Sequence, residues 1–222
     1  MVRKTHPTGI DFVPMRDVEN LFQKTAVAGG ITFILYLILF IFVDRPVDLW
    51  IYHNCAHTWV PRWGAYISYL ARGNFIELGI AAGFILSIMV DPGLKKTWSR
   101  HLLFICTAGA IAIIIGEAWK YLLARYRPAM LFEKDLYGLH FLSSKWAINS
   151  TPSGHTVRAF SLLTGLSLLY RRFAAAFLSL AALIGVSRVM VTAHYPSDVL
   201  LGAFIGVFTA LWTYKYFFGK EI

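Results

Sequence analysis

The chain has 222 residues, a length that suits one domain, and 57% of them are apolar while only 15% are charged. A soluble domain carries roughly 25% charged residues, and no water-facing surface hides this much apolar sequence, so a membrane is the natural solvent. The formal net charge of +9 invites a nucleic-acid reading, but the basic residues form no stripe or tail. They sit at the ends of apolar blocks, where cations meet lipid headgroups or a phosphate, which argues against nucleic acid as a partner.

Residues 1–25 read as a cytoplasmic N-terminal segment, too polar and too long for a signal-peptide n-region, with no small-residue cleavage site after it. A spanning helix needs about 20 mainly apolar residues. On that measure Ala26–Val43, Asn74–Val90, His101–Trp119, Val157–Tyr170, Phe173–Val191 and Val199–Phe217 form six predicted spans. The fourth is short unless the polar residues before it extend the helix. The expectation is an all-α polytopic membrane protein, a six-helix bundle over residues 26–218, with 219–222 as a cytoplasmic tail.

Two connecting segments stand out. Residues 44–73 carry Trp50, Tyr52, Trp59, Trp63 and Tyr66, and such aromatic residues favour the membrane interface, so one or two short interfacial helices are expected there. Residues 129–151 form a mixed loop, long enough for a function of its own. The pairs Lys95/Lys96 and Arg171/Arg172 lie in tight turns, where the positive-inside bias is strongest, and they favour both termini on the cytoplasmic side. Cys55 and Cys106 differ in depth and set neither a disulfide nor a metal framework.

Three clusters carry chemistry, all at span ends. In the first, Lys120 and Arg127 are seven residues apart and share a helix face, and Pro128 ends the element. Taken alone, these two cations are better explained as interfacial anchors. The second is Pro152-Ser153-Gly154-His155, just before the fourth span. A helix start with free N–H groups is a ready anion site, glycine permits close backbone approach, and His155 stands at the mouth, suited to proton transfer. An ordinary capped turn is the plain alternative. The third runs from Ser187-Arg188 to His194 and Asp198. A carboxylate four residues after a histidine can accept the Nδ1 proton and leave Nε2 free to attack, although a charge at a helix start also explains Asp198.

Alternation of six spans brings these three clusters to one membrane face. Charged groups that close to lipid mark a functional site, and Lys120, Arg127 and Arg188 can then surround one tetrahedral anion. Around them, Glu117 lies three residues before Lys120 and is expected to hold it. His53 and His57 have metal-compatible spacing but no third ligand. Arg125 and Arg158 are expected either to touch a second phosphate or headgroup or to anchor at the surface. Tyr137, His140 and Lys145 are candidates for headgroup selection.

The three clusters match K-x6-RP, PSGH and SR-x5-H-x3-D at every specified position and in order. In this the chain resembles the type 2 phosphatidic acid phosphatase superfamily, which includes the vanadium haloperoxidases. The resemblance covers Lys120 to Asp198 by motif. It implies that His194 is the nucleophile, that Asp198 orients it, and that Lys120, Arg127, Arg188, Ser153 and the Gly154 N–H bind the phosphoryl oxygens. His155 would protonate the leaving alkoxide and then activate water. Three cations would supply what Mg²⁺ supplies elsewhere, so no metal or other cofactor is expected. The implied substrate is a lipid phosphate: phosphatidylglycerol phosphate, phosphatidic acid, undecaprenyl diphosphate or lipid A. Membrane lipids are the surrounding partners and no obligate protein partner is evident. A bacterial inner membrane with a periplasmic active site is the expected setting. A phosphotransferase using the same phosphohistidine, and a non-catalytic anion channel or transporter, are the alternatives.

Overall fold

The computed structural model of the chain describes residues 15–219. Helix α1 (Met15–Ile38) passes through a π turn at Leu39–Val43 directly into α2 (Asp44–Cys55). Then come α3 (Trp59–Tyr69), α4 (Gly73–Val90), α5 (Thr97–Leu123), the short α6 (Pro128–Lys134) and a 3-10 turn at Trp146–Ile148. Helices α7 (Gly154–Leu169), α8 (Ala174–Met190) and α9 (Pro196–Phe218) complete the fold. Local chemistry sets several boundaries. The Thr58 side chain accepts from the Val60 N–H and caps α3. Pro128 and Pro196 occupy first-turn positions of α6 and α9, where a missing N–H costs nothing. Gly219 closes α9 in the left-handed conformation.

Five helical segments among the described residues are long and apolar enough to cross a membrane: Val18–Cys55, Trp59–Val90, Thr97–Leu123, Arg171–Met190 and Pro196–Phe218. The sequence predicts six, and the fourth of these, α7, falls short. Its 16 residues reach about 24 Å, against a hydrocarbon thickness near 30 Å. The reason lies in its surroundings. α7 packs against α5, α8 and α9 and buries Thr156, Ser161, Thr164 and Ser167, so it meets protein where the other helices meet lipid. The outer helices show the opposite pattern, with Phe33, Ile41, Phe42, Leu78, Met89 and Ile114 exposed. In a hydrocarbon solvent that arrangement is the favourable one.

Residues 44–73 hold two short helices, α2 and α3; α2 follows α1 through the π turn, and a turn at 70–72 joins α3 to α4. Of the N-terminal segment 1–25, residues 15–25 already belong to α1, while 1–14 lie outside the described residues, as do 220–222 of the tail.

Close backbone approach places α7 against α9. A Cβ at Gly206 would lie 2.8 Å from the Val157 carbonyl oxygen and 2.8 Å from the Ser161 nitrogen. One turn earlier, a Cβ at Gly202 would lie 3.0 Å from the Ser153 carbonyl oxygen. Small residues four apart let two membrane helices touch along their backbones. Here they draw the start of α7 down onto the start of α9. On the other flank, Ser68 on α3 hydrogen-bonds Ser187 on α8 at 2.8 Å, and a Cβ at Gly64 would meet Met190 at 2.9 Å. α3 is thereby clamped beside Arg188.

Candidate active site

The polar site is assembled from the end of α5, the segments flanking the starts of α7 and α9, and the end of α8. Ala124 adopts the left-handed conformation at φ 41° and turns the chain after Lys120, so that Arg125 points inward. Backbone hydrogen bonds then tie the segments together. Ser150 N–H donates to the Arg125 carbonyl at 3.0 Å, Arg127 N–H to the Ala147 carbonyl at 3.0 Å, and Ser153 N–H to the Asp198 carbonyl at 3.1 Å.

His194 is buried, and its Nδ1 lies 2.8 Å from the Ser150 carbonyl oxygen. A carbonyl only accepts, so Nδ1 carries the proton and Nε2 keeps its lone pair. The simple dyad expected from the spacing is thus modified. Asp198 Oδ2 stands 3.7 Å from Nδ1, beyond hydrogen-bond length, and acts on the ring by charge. Asp198 is saturated instead by other donors. Oδ1 accepts from Arg125 Nη1 at 2.7 Å and from the Thr151 hydroxyl. Oδ2 accepts from Ser150 Oγ at 2.6 Å and from Tyr195 N–H at 3.0 Å, the last bond capping α9.

The cations gather opposite. Lys120 Nζ donates to Glu117 at 2.5 Å, one turn back on α5, as the spacing predicts. A Cβ at Gly154 would lie 2.9 Å from Lys120 Nζ and 3.2 Å from Arg158 Nη1, so only glycine leaves room for both cations over the start of α7. Arg127 donates from Nε to the Trp146 carbonyl at 2.9 Å and from Nη2 to the Asn149 carbonyl at 3.1 Å, with its guanidinium 4.6 Å from the Trp146 ring centre. This pins the group and leaves Nη1 uncommitted. Arg188 Nε and Ser153 Oγ are buried with no hydrogen-bond partner among the described residues.

The electrostatics show that these groups share one space. Burial, then the charges of Arg188, His194, Arg158 and Lys120, push His155 down from its usual 6.5 to about 3. Burial also leads for His194, with Arg127 and Arg188 acting the same way against the opposing pull of Asp198, and holds it at about 4. Both histidines are therefore neutral at pH 7. Lys120, Arg127, Arg158 and Arg188 thus act on one shared space.

The sequence reading missed the support beneath the site. Arg125, read as a second-phosphate contact or a surface anchor, is wholly buried. It donates to Asp198, to Ser197 at 2.6 Å, to Asp44 at 2.8 Å and to the Tyr137 hydroxyl at 2.8 Å, and it stacks 4.0 Å from the Tyr195 ring centre. Tyr137, a candidate for headgroup selection, is likewise turned inward, its hydroxyl donating to the Phe40 carbonyl. His140 and Lys145 are exposed on the loop. Asp44 and Asp48, one turn apart directly after the uncharged apolar block that ends at Val43, were the available signal, because carboxylates at that depth need buried partners. Arg158 pairs with Glu77 at 2.7 Å. His53 bonds its own helix at Leu49, and no cluster of three metal-binding side chains occurs among the described residues.

Known proteins are similar to this chain in sequence and fold. The model of the PAP2 superfamily matches residues 101–222. The lipid A 1-phosphatase of Rhizobium johnstonii is 33% identical over 122 residues, 54% of this chain and 48% of that protein. The chain thus spans about half the length of the curated relatives it matches first. Among solved structures, a transmembrane PAP2-type phosphatidylglycerolphosphate phosphatase from Bacillus subtilis is similar in fold, with a TM-score of 0.55 at 17% identity. That similarity covers 86% of this chain and 94% of the other. LpxE of Aquifex aeolicus is similar at 25% identity and a TM-score of 0.50, covering 78% and 95%. With more than half of its length matched by the family model, and with a helical membrane fold shared with solved members, the chain belongs to the PAP2 superfamily.

Proposed function

We propose that this protein is an integral membrane phosphatase that removes a phosphate from a lipid through a phosphohistidine on His194. The observation that carries this reading is the bond from His194 Nδ1 to the Ser150 carbonyl at 2.8 Å, which frees Nε2 to attack phosphorus. Lys120, Arg127 and Arg188, with Ser153 and the Gly154 N–H, bind the phosphoryl oxygens and neutralise the charge that builds on them. Nε2 forms the P–N bond as the P–O bond to the lipid breaks, and Asp198 stabilises the positive ring. The phosphate dianion, once bound, offsets the cations around His155 and draws a proton onto its ring, and His155 passes that proton to the leaving oxygen. It then takes a proton from water, which attacks phosphorus, releases inorganic phosphate and restores His194. Similarity to a lipid A 1-phosphatase supports a lipid as substrate.

α7 serves as the sixth span in this reading, its short length made up by the polar segment at its start. Lys95/Lys96 and Arg171/Arg172 lie at the helix ends opposite the site, which supports a cytoplasmic position for those turns and a periplasmic site in a bacterial inner membrane. Catalysis proceeds without a metal. The test is phosphate release from a panel of lipid phosphates in detergent with EDTA and no added acceptor alcohol. Wild-type release with loss in His194→Ala is expected. A His194→Ala variant as active as wild type would sink the mechanism, strong inhibition by EDTA would sink metal independence, and loss of the lipid phosphate only with an acceptor alcohol present, the phosphate then being found on that alcohol, would make the protein a transferase.

A further inference from the structure

A recess of about 360 Å³ opens beside the phosphate site, and its walls are Ala65, Ser68, Tyr69, Arg72, His155, Arg188 and Val191. Two of these, His155 and Arg188, already belong to the site described above. Ala65, Ser68, Tyr69 and Arg72 follow at helical spacing and form one face of α3 and the turn after it. No carboxylate lines the recess. At about 30 Å³ per water it has room on the order of ten waters, enough for a phosphate and the atoms that join it to a neighbour.

Arg72 is placed with care. The residue before it, Ala71, is packed with Ala159, Ala181 and Ile184 of α7 and α8. The residue after it, Gly73, lies so close to Arg158 that a Cβ there would be 2.9 Å from Nη2. The backbone is thus fixed on both sides while the side chain is exposed. The guanidinium sits 5.7 Å from the Tyr69 ring centre and 5.9 Å from that of Phe75. These rings orient the cation without neutralising it. Among the described residues Arg72 has no ion pair, whereas Arg158 and Lys120, its neighbours in the fold, each hold a glutamate. Arg72 also lies outside residues 101–222, so the family's shared machinery does not account for it.

We propose that this recess is a second anion subsite, in which Arg72 binds a phosphate carried on the leaving-group side of the lipid. The proposal rests on the phosphatase reading of the adjoining site. His155 serves the leaving oxygen and forms one wall, so whatever leaves must pass along this recess. A lipid diphosphate places its second phosphate directly there. Phosphatidylglycerol phosphate places a phosphodiester there, a few bonds further on. Phosphatidic acid has nothing to place there.

The experiment compares kcat and KM of the full chain and its Arg72→Gln and Arg72→Lys variants on an isoprenoid diphosphate, phosphatidylglycerol phosphate and phosphatidic acid. Arg72 is exposed, so both variants should keep the wild-type melting temperature. For at least one of the two lipids that carry a second phosphate, Arg72→Gln should lower kcat/KM about tenfold or more, chiefly through KM, as expected for loss of a charge-assisted bond to phosphate. Arg72→Lys should recover part of that loss, and phosphatidic acid should change less than about twofold. Whichever of these two lipids responds identifies the source of the second phosphate. Equal loss on all three lipids, or loss on none, overturns the subsite while leaving the phosphatase intact. A wild-type chain that releases phosphate from no lipid overturns the phosphatase and the subsite together.

Discussion

Arg125 Nη1 lies 2.7 Å from Asp198 Oδ1, and both side chains are wholly buried. Arg125 also reaches Asp44 through Nη2, so one guanidinium joins the start of α2 to the start of α9. Removing one partner of such a buried group strands the others. Arg125→Ala should therefore destabilise the protein by about 3–5 kcal/mol. Arg125→Lys should recover little, because an ammonium cannot span two carboxylates as a planar fork does. Thermal unfolding in detergent measures both, and a wild-type midpoint for Arg125→Ala would show that the network is dispensable.

Gly154 gives a cleaner probe of the phosphate site. A Cβ there would meet Lys120 Nζ at 2.9 Å, the movable end of a flexible side chain. Gly154→Ala should fold normally and displace that ammonium. A shift of this size in a positioning group is expected to reduce kcat/KM by on the order of tenfold to a hundredfold. Steady-state kinetics beside a melting curve separates this from a folding defect.

His155 should matter in proportion to how poor the leaving group is. On a lipid alkoxide His155→Ala should cost on the order of 10²–10⁴ in rate. An aryl phosphate, whose leaving group needs no proton, should still phosphorylate His194 in this variant. Water activation would then be the missing step, so the phosphoenzyme should accumulate. Rapid quench under alkaline conditions, where phosphohistidine survives, reads it directly.

The pH dependence follows from the two depressed histidines. Each has a folded value below its usual 6.5, at about 4 for His194 and about 3 for His155. The unfolded chain therefore binds more protons between those values and 6.5, and stability should fall as pH drops through that window. Melting temperature against pH checks the sign. A phosphate dianion brings opposite charge to His155 and should raise its affinity for a proton. Binding of sulfate, a dianion with no proton of its own to lose near pH 6, should accordingly take up protons, which calorimetry in buffers of different ionisation enthalpy detects.

The amino-acid sequence by itself determined the solvent, the helical class and the order of the three clusters. Long apolar blocks have one stable environment, and Lys120, Arg127, Ser153, Gly154, His155, Arg188, His194 and Asp198 are legible because each motif has fixed local spacing. Local spacing says nothing about partners 44, 73 or 81 residues away, the separations of His194 from Ser150 and of Arg125 from Asp198 and Asp44. Only the tertiary structure decided that α7, already short by hydropathy, is covered by protein, since its polar residues find their surroundings on α5, α8 and α9. Only it decided that His194 Nδ1 faces the Ser150 carbonyl ahead of Asp198, a choice made by where the segment before α7 lies against α9. Arg125 changed most, from one of several cations at a span end to the buried link between Asp44 and Asp198. Its charge is set by its own side chain, but its role depends on carboxylates that the fold brings to it from both ends of the chain.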